Sequence, residues 1–263
     1  MTATISHEQF GAGPPVVLLH PSAFGPELVR PFAERLAADH CVIVPHRRGY
    51  NLSAGAAPAT SLDDHHDDLA ELLDALAIEQ PLIIGISAGA TLALGFACRE
   101  RDRPVVTIAH EPLVGPLAPT LHARVTSRIA RLLARSDQPH ETSLFMSELV
   151  GIATWNHLSP SSRNDVETNG AVAQHEASLF AGFALSATEL DDLGDRAVYT
   201  TVGSRSGEMR QEAATVLAGH GIERFVVDGA SHLPFVETPD VYARLVDHLA
   251  TSHRVEPDMI GNN

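Results

Sequence analysis

Residues 81–98 read PLIIGISAGATLALGFAC. An apolar, β-branched run at 82–86 stops at Ser87, and a stretch rich in Ala and Leu begins at once. The small residues around the serine, Gly85, Ala88 and Gly89, permit a sharp reversal from strand to helix, the G-x-S-x-G nucleophile elbow. Such a turn strains the serine backbone and brings positions 85 and 89 together, so a side chain at either is expected to strike the other arm. The stretch carries no charge before Arg99, as a membrane span would. Its glycines, serine, threonine and opening proline fit a strand, a tight turn and a helix better.

The chain has 263 residues, a length suited to one core carrying an inserted subdomain. Hydrophobic residues make up 44% and charged residues 19%, an ordinary globular balance. A formal charge of -15, with no basic run longer than Arg47-Arg48, opposes nucleic acid and anionic membrane surfaces as partners. Cys41 and Cys98 have no metal-binding spacing and are expected to be buried free thiols. With an N-terminus unlike a signal peptide, they point to a cytoplasmic protein.

Outward from 81–98, buried strands are expected at 16–19, 41–44, 105–109, 197–202 and 225–227, with an edge strand at 5–10. Helices are expected at 27–38, 62–78, 208–218 and 239–250, and a frayed tail from 251 to 263. His65 and His66, among the acids that open the helix at 62–78, point to different helix faces and do not read as a metal site. Between 113 and 193 the alternation stops, and three helical patterns follow at 121–134, 141–152 and 164–183. The expected architecture is α/β, a doubly wound and mostly parallel sheet, with core segments 1–112 and 194–263 separated by a helical cap at 113–193. Loops beginning at His20, Pro45, Ser87, Glu111 and Asp228 then gather at one sheet edge.

A serine nucleophile needs a base within hydrogen-bond reach and a carboxylate to orient that base. His232, in a Gly-containing loop after the last strand, is the candidate base. Through His20-Pro21, the loop from Arg48-Gly49 to Ser53, the Ser87 elbow and Gly229-Ala230-Ser231-His232, the chain resembles an α/β-hydrolase fold serine hydrolase over nearly its whole length. The resemblance implies an oxyanion hole from the backbone N–H groups of Ser22 and Ala88.

The chain departs from that pattern in places. Pro21 stands where a glycine is usual and has no N–H. His46-Arg47-Arg48-Gly49-Tyr50-Asn51 lacks the usual acid and second glycine, and His46 is not assigned a role in catalysis. The common acid position falls in Gly203-Ser204-Arg205-Ser206, with no aspartate. Glu111 then becomes the candidate acid, at the end of the strand beside the elbow, where Pro112 is expected to hold it in extended backbone. Its place resembles family members with the acid on this earlier strand, among them the fungal zearalenone lactonases. Glu208 as the acid, or Glu111 as a loop-capping residue, are the alternatives.

The expected function is cofactor-free hydrolysis of a carboxylic ester or lactone through an acyl-enzyme, by Ser87, His232 and Glu111, with no metal. C–C bond hydrolysis, or non-hydrolytic ligand binding or cyclase-like chemistry on the same fold, is the alternative. Phe24, Trp155, Phe180 and Phe183, with Phe145, are candidate apolar walls of a substrate pocket under the cap. The partners expected are a small ester or lactone and, among proteins, at most a second copy of the chain. A histidine base of ordinary basicity predicts activity rising through an apparent pKa of about 6 to 7.5.

Overall fold

The computed structural model describes residues 5–103, 105–135 and 140–252. Its framework is a seven-stranded sheet made of β1 (His7–Phe10), β2 (Pro15–Leu19), β3 (Cys41–Pro45), β4 (Leu82–Ile86), β5 (Val106–His110), β6 (Val198–Gly203) and β7 (Glu223–Val227). Spatial order is β1-β3-β2-β4-β5-β6-β7, with β1 antiparallel to β3 and every other pair parallel. Helices α1 (Pro26–Leu36), α2 (Leu62–Ala75) and α3 (Ala88–Arg99) make the early crossovers. The expected elements are all present, with ends shifted by a few residues.

Alternate strand residues feed two cores. Val16, Leu18, Val42, Val44, Ile84 and Ile86 pack under α1, whereas Val17, Leu19, Ile43 and Ile83 pack under α2 and α3. Both faces of the central strands are therefore apolar, which is why they read as unbroken hydrophobic runs. Each such side chain contributes about 2 kcal/mol on burial.

Between β5 and β6 lie α4 (Pro119–Leu133), α5 (Glu141–Val150), α6 (Ile152–His157), α7 (Pro160–Thr168), α8 (Gly170–Ala181) and α9 (Ala187–Gly194). The three expected helical patterns correspond to α4, α5 and the pair α7 and α8, whereas α6 and α9 were not expected. Gly151, at φ 87, ends α5, and Asn169-Gly170 divides the expected helix at 164–183. That division has a use, because buried Asn169 turns its side-chain amide to the Ala23 carbonyl in the loop after β2, 3.3 Å away. After β6 come α10 (Glu208–Gly219), the short α11 (Pro234–Glu237) and α12 (Pro239–Ser252). Thr251 and Ser252, expected to begin a frayed tail, instead continue α12, and the rest of that tail lies outside the described residues. Cys41 and Cys98 are free but half-buried, not enclosed as expected.

In this order β2 and β4 flank the point where the winding reverses, so the loops leaving them diverge and leave a crevice at the sheet's C-terminal edge. No helix among the described residues is long and apolar enough to cross a membrane.

Candidate active site

Ser87 sits at the junction of β4 and α3 with φ 55 and ψ -115. A non-glycine residue there is strained by about 1 to 3 kcal/mol, and the junction is held by its neighbours. Ser87 N–H donates to the His110 carbonyl at 2.9 Å, and Thr91 N–H and Oγ return to the Ser87 carbonyl. A methyl group at Gly85 would stand 2.2 Å from the Gly89 carbonyl oxygen, as expected of the elbow's two arms. At Gly89 the obstacle is different. A methyl there would strike the Leu19 carbonyl oxygen of β2 at 2.3 Å, so this glycine lets the helix approach the neighbouring strand.

At the end of β5, Glu111 is buried and has φ 50. The extended backbone expected from Pro112 is not adopted, because Glu111 N–H donates to the Thr201 carbonyl of β6 and swings the side chain along the sheet edge. The carboxylate then collects four donors. Oε2 accepts from His232 Nδ1 at 2.7 Å and Arg210 Nε at 3.0 Å. Oε1 accepts from Gly203 N–H at 3.2 Å and from Ser206 Oγ. Ser206 occupies the position where the resemblance led one to seek an aspartate, and it solvates the replacement. Exposed Glu208 merely opens α10. Burial alone would raise the Glu111 pKa, but the Arg210 charge, with His110 and His232, holds it well below the usual carboxylate range.

His232 leaves β7 in a loop fastened from behind. Ser231 N–H and Oγ donate to Glu237 of α11, each at 2.5 Å, and His110 Nε2 donates to the Ser231 carbonyl at 3.0 Å. Since Glu111 accepts from Nδ1, the neutral ring presents Nε2 as an acceptor, the tautomer a general base requires. Burial, then the adjacent Arg210 charge, push its pKa down to about 4, below the range expected for an unperturbed base. The occupant of Nε2 is Arg210, whose Nη2 donates to it at 3.3 Å. Ser87 Oγ is partly exposed and has no hydrogen-bond partner among the described residues.

The loop after β2 passes beside the elbow, and an inserted helix supports it. Ala23 has φ 65 and its N–H donates to Tyr50 Oη at 3.2 Å, while Ser22 and Ala88 N–H donate to nothing among the described residues. Tyr50 Oη donates to Glu176 of α8 at 2.7 Å, and Ser22 Oγ approaches the same carboxylate at 3.4 Å. Arg47 Nη1 pairs with the other Glu176 oxygen at 2.7 Å, both side chains being nearly inaccessible at 3% and 1%. Burial opposes the Glu176 charge, but Arg47, His65 and Tyr50 outweigh it and hold the pKa at about 2.

Residues 16–245 match the model of the alpha/beta hydrolase family. The chain belongs to that family. An α/β hydrolase with esterases among its relatives, it is 27% identical over 277 residues to the pimeloyl-[acyl-carrier protein] methyl ester esterase of Vibrio parahaemolyticus, covering 95% of this chain and 99% of that one. Among solved structures, a hydrolase from Pseudomonas aeruginosa superposes with a TM-score of 0.77 at 19% identity, over 94% of each chain. Carboxylesterase CesB of Bacillus subtilis gives 0.76 at 18% identity, over 94% of this chain and 87% of that one. At such identities the superpositions speak for the fold.

The aromatic residues expected to wall a pocket in this α/β hydrolase do not share one. Phe24 is fully buried and packs beside Trp155 at 6.3 Å, in the core that Phe145 also joins. Phe180 lies 5.9 Å from the Arg47 guanidinium, and Phe183 packs into a third cluster with Leu94 and Leu190. His46 is engaged with Glu8 and Leu52 N–H. His65 stands 3.1 Å from Glu176, and His66 packs against Gly95 and Phe96. A groove of about 1510 Å³ lies at the opposite sheet edge, lined by Pro14, Cys41, Pro81 and Arg103, away from Ser87.

Arg210, Arg47 and Glu176 were not foreseen. Two of them left a signal. Arg210 puts a cation in the first turn of α10, where the helix dipole favours an acid. Glu176 stands in the apolar stripe of α8 between Ala173 and Phe180, where a charge requires a partner.

Proposed function

We propose that this α/β hydrolase cleaves a carboxylic ester by a serine mechanism in which Ser87, His232 and Glu111 form the triad. The observation that carries the reading is the His232 Nδ1 to Glu111 Oε2 hydrogen bond of 2.7 Å, which leaves Nε2 as the acceptor, in a chain whose Ser87 stands on a strained strand-to-helix turn. Once Ser87 Oγ replaces Arg210 at Nε2, it attacks the ester carbonyl carbon and its proton passes to Nε2. The carbonyl oxygen becomes an oxyanion, held by the free N–H groups of Ser22 and Ala88. Collapse breaks the bond to the alkoxide, which takes the Nε2 proton and leaves as an alcohol. Water then attacks the acyl-enzyme, giving its proton to Nε2, and collapse returns that proton to Ser87 and frees the acid.

Throughout, the Glu111 charge offsets the imidazolium that appears in each half-reaction. A lactone follows the same steps with the alcohol still tethered to the product. The helices between β5 and β6 act as a cap that braces the loop after β2 through Asn169 and Glu176, without supplying a reacting group.

The test is labelling by a fluorophosphonate together with hydrolysis of p-nitrophenyl acetate. The wild type is expected to lose activity as one serine is labelled, and Ser87→Ala to fold normally, resist labelling and fall by about 10⁴ or more in kcat. Wild-type-like turnover by Ser87→Ala would end the serine mechanism. A folded wild type that neither labels nor hydrolyses esters would favour a non-hydrolytic ligand-binding role.

A further inference from the structure

The nitrogen that must accept the serine proton is occupied by a guanidinium. Arg210 Nη2 donates to His232 Nε2 at 3.3 Å while Nε binds Glu111 at 3.0 Å. As it stands the arrangement opposes catalysis twice: the lone pair of the base is in use, and an imidazolium would have to form against a fixed positive charge. Glu111 does not need this cation for hydrogen bonding, since His232, Gly203 and Ser206 already serve it. Nor does α10 favour a cation in its first turn. The side chain is only 12% exposed, and its Nη1 has no partner among the described residues.

Helix α4 packs against α10 and carries Arg124 and Arg128, neither of which lies within salt-bridge distance of a carboxylate among the described residues. Arg128 is partly buried, loses hydration, and feels the charges of Arg124, Arg131 and Arg210, with Glu148 in opposition. In a chain of net charge -15, arginines short of acidic partners on the helix packed against α10 leave room for an anion that the protein does not contain.

We propose that Arg210, backed by Arg128, receives a free carboxylate of the substrate, so that the enzyme acts on half-esters of dicarboxylic acids. This rests on the serine-hydrolase reading above and adds a substrate class to it. A planar carboxylate matches two guanidinium N–H groups, and pairing with an anion is stronger than the hydrogen bond to the uncharged Nε2. Docking therefore draws Nη2 away from His232 and neutralises the charge that opposes the imidazolium. The vacated Nε2 then faces Ser87. The same carboxylate that identifies the substrate frees the base, while a neutral ester must displace Arg210 without compensation.

The experiment compares monomethyl succinate, glutarate and adipate with the methyl esters of the corresponding monoamides, which match them in shape and lack the charge. For at least one chain length the wild type is expected to favour the acid by about a hundredfold or more in kcat/KM. In Arg210→Gln that ratio should fall to near unity, and in Arg210→Lys, which keeps the charge without the fork, to an intermediate value.

The pH profile supplies a second readout. His232 is faced by Glu111 and His110 from the end of β5 and by Arg210 from α10, with Arg128 of α4 and Glu237 of α11 behind them. Removing the Arg210 cation should move the rise of kcat/KM on the amide ester up, toward the ordinary histidine range. A purely structural arginine would lower both substrates in parallel and leave that rise in place.

A wild-type ratio near unity at every chain length, or a ratio retained by Arg210→Gln, overturns the proposal. Should Arg210→Gln not fold, the wild-type ratio decides, with competitive inhibition by free glutarate and none by glutaramide as its companion. Fluorophosphonate labelling with charge-blind ester hydrolysis defeats this inference alone. Absence of both labelling and hydrolysis defeats the hydrolase reading, and this one with it.

Discussion

Replacing Glu111 by glutamine keeps volume and removes charge at the point where four donors meet. An amide has one acceptor oxygen, so its NH₂ group must face either Gly203 N–H and Ser206 or His232 and Arg210. In the first orientation Ser206 can turn its hydroxyl to accept, leaving Gly203 N–H unserved and Arg210 buried without a counter-charge. Breaking a buried ion pair in this way costs about 3 to 5 kcal/mol. In the second orientation His232 must reverse its tautomer and put a proton on Nε2, which removes the base altogether. Either outcome also removes the charge that offsets the imidazolium, for an expected loss of about 10² to 10⁴ in kcat.

Urea denaturation gives the first quantity and turnover of a small neutral ester, with circular dichroism of the same samples, the second. The double variant Glu111→Gln/Arg210→Met separates the two effects. Removing the stranded cation should recover about 2 kcal/mol of stability and none of the activity, a coupling measurable by a double-mutant cycle. The reasoning is refuted if folded Glu111→Gln keeps activity within tenfold of wild type, or if the double variant is no more stable than the single one.

Gly85→Ala should cost about 3 kcal/mol and most of the activity, since its methyl would meet backbone at 2.2 Å; a near-native melting temperature would show that the elbow can open. Glu176→Gln should lose about 3 to 5 kcal/mol by stranding Arg47, and lower kcat by loosening Ser22, whereas Glu176→Leu with Arg47→Met should restore stability without restoring kcat. Stability should fall as the pH drops below about 6.5, because burial lowers the pKa of His20, His66, His110 and His232, and the unfolded chain binds the protons that the fold excludes. Each group contributes up to about 1.4 kcal/mol per pH unit between its two pKa values, and the depressed carboxylates Glu111 and Glu176 add a loss of the same sign below about 4.5. Denaturation curves at pH 7.5, 6 and 5 check the sign, and equal stability at all three would mean that these histidines are charged in the fold.

The sequence by itself determined the sheet and the elbow, and it singled out His232 as the candidate base. Strands buried on both faces leave continuous apolar runs, and a turn that admits only glycine at 85 is written in the residue itself, because these constraints act within a few positions of the chain. The missing aspartate was equally legible, and it pointed to Glu111 by placing an acid at the end of the adjacent strand. What lay outside local reading was the company that Glu111 keeps. Its left-handed backbone follows from a hydrogen bond to Thr201 on β6, and not from the proline that follows it. Arg210 reaches His232, and Glu176 reaches Ser22 and Arg47, across separations of 22, 154 and 129 residues. Only the tertiary structure decides which buried charges meet, because a charge in an apolar interior is stable only against the partner that the packing brings to it.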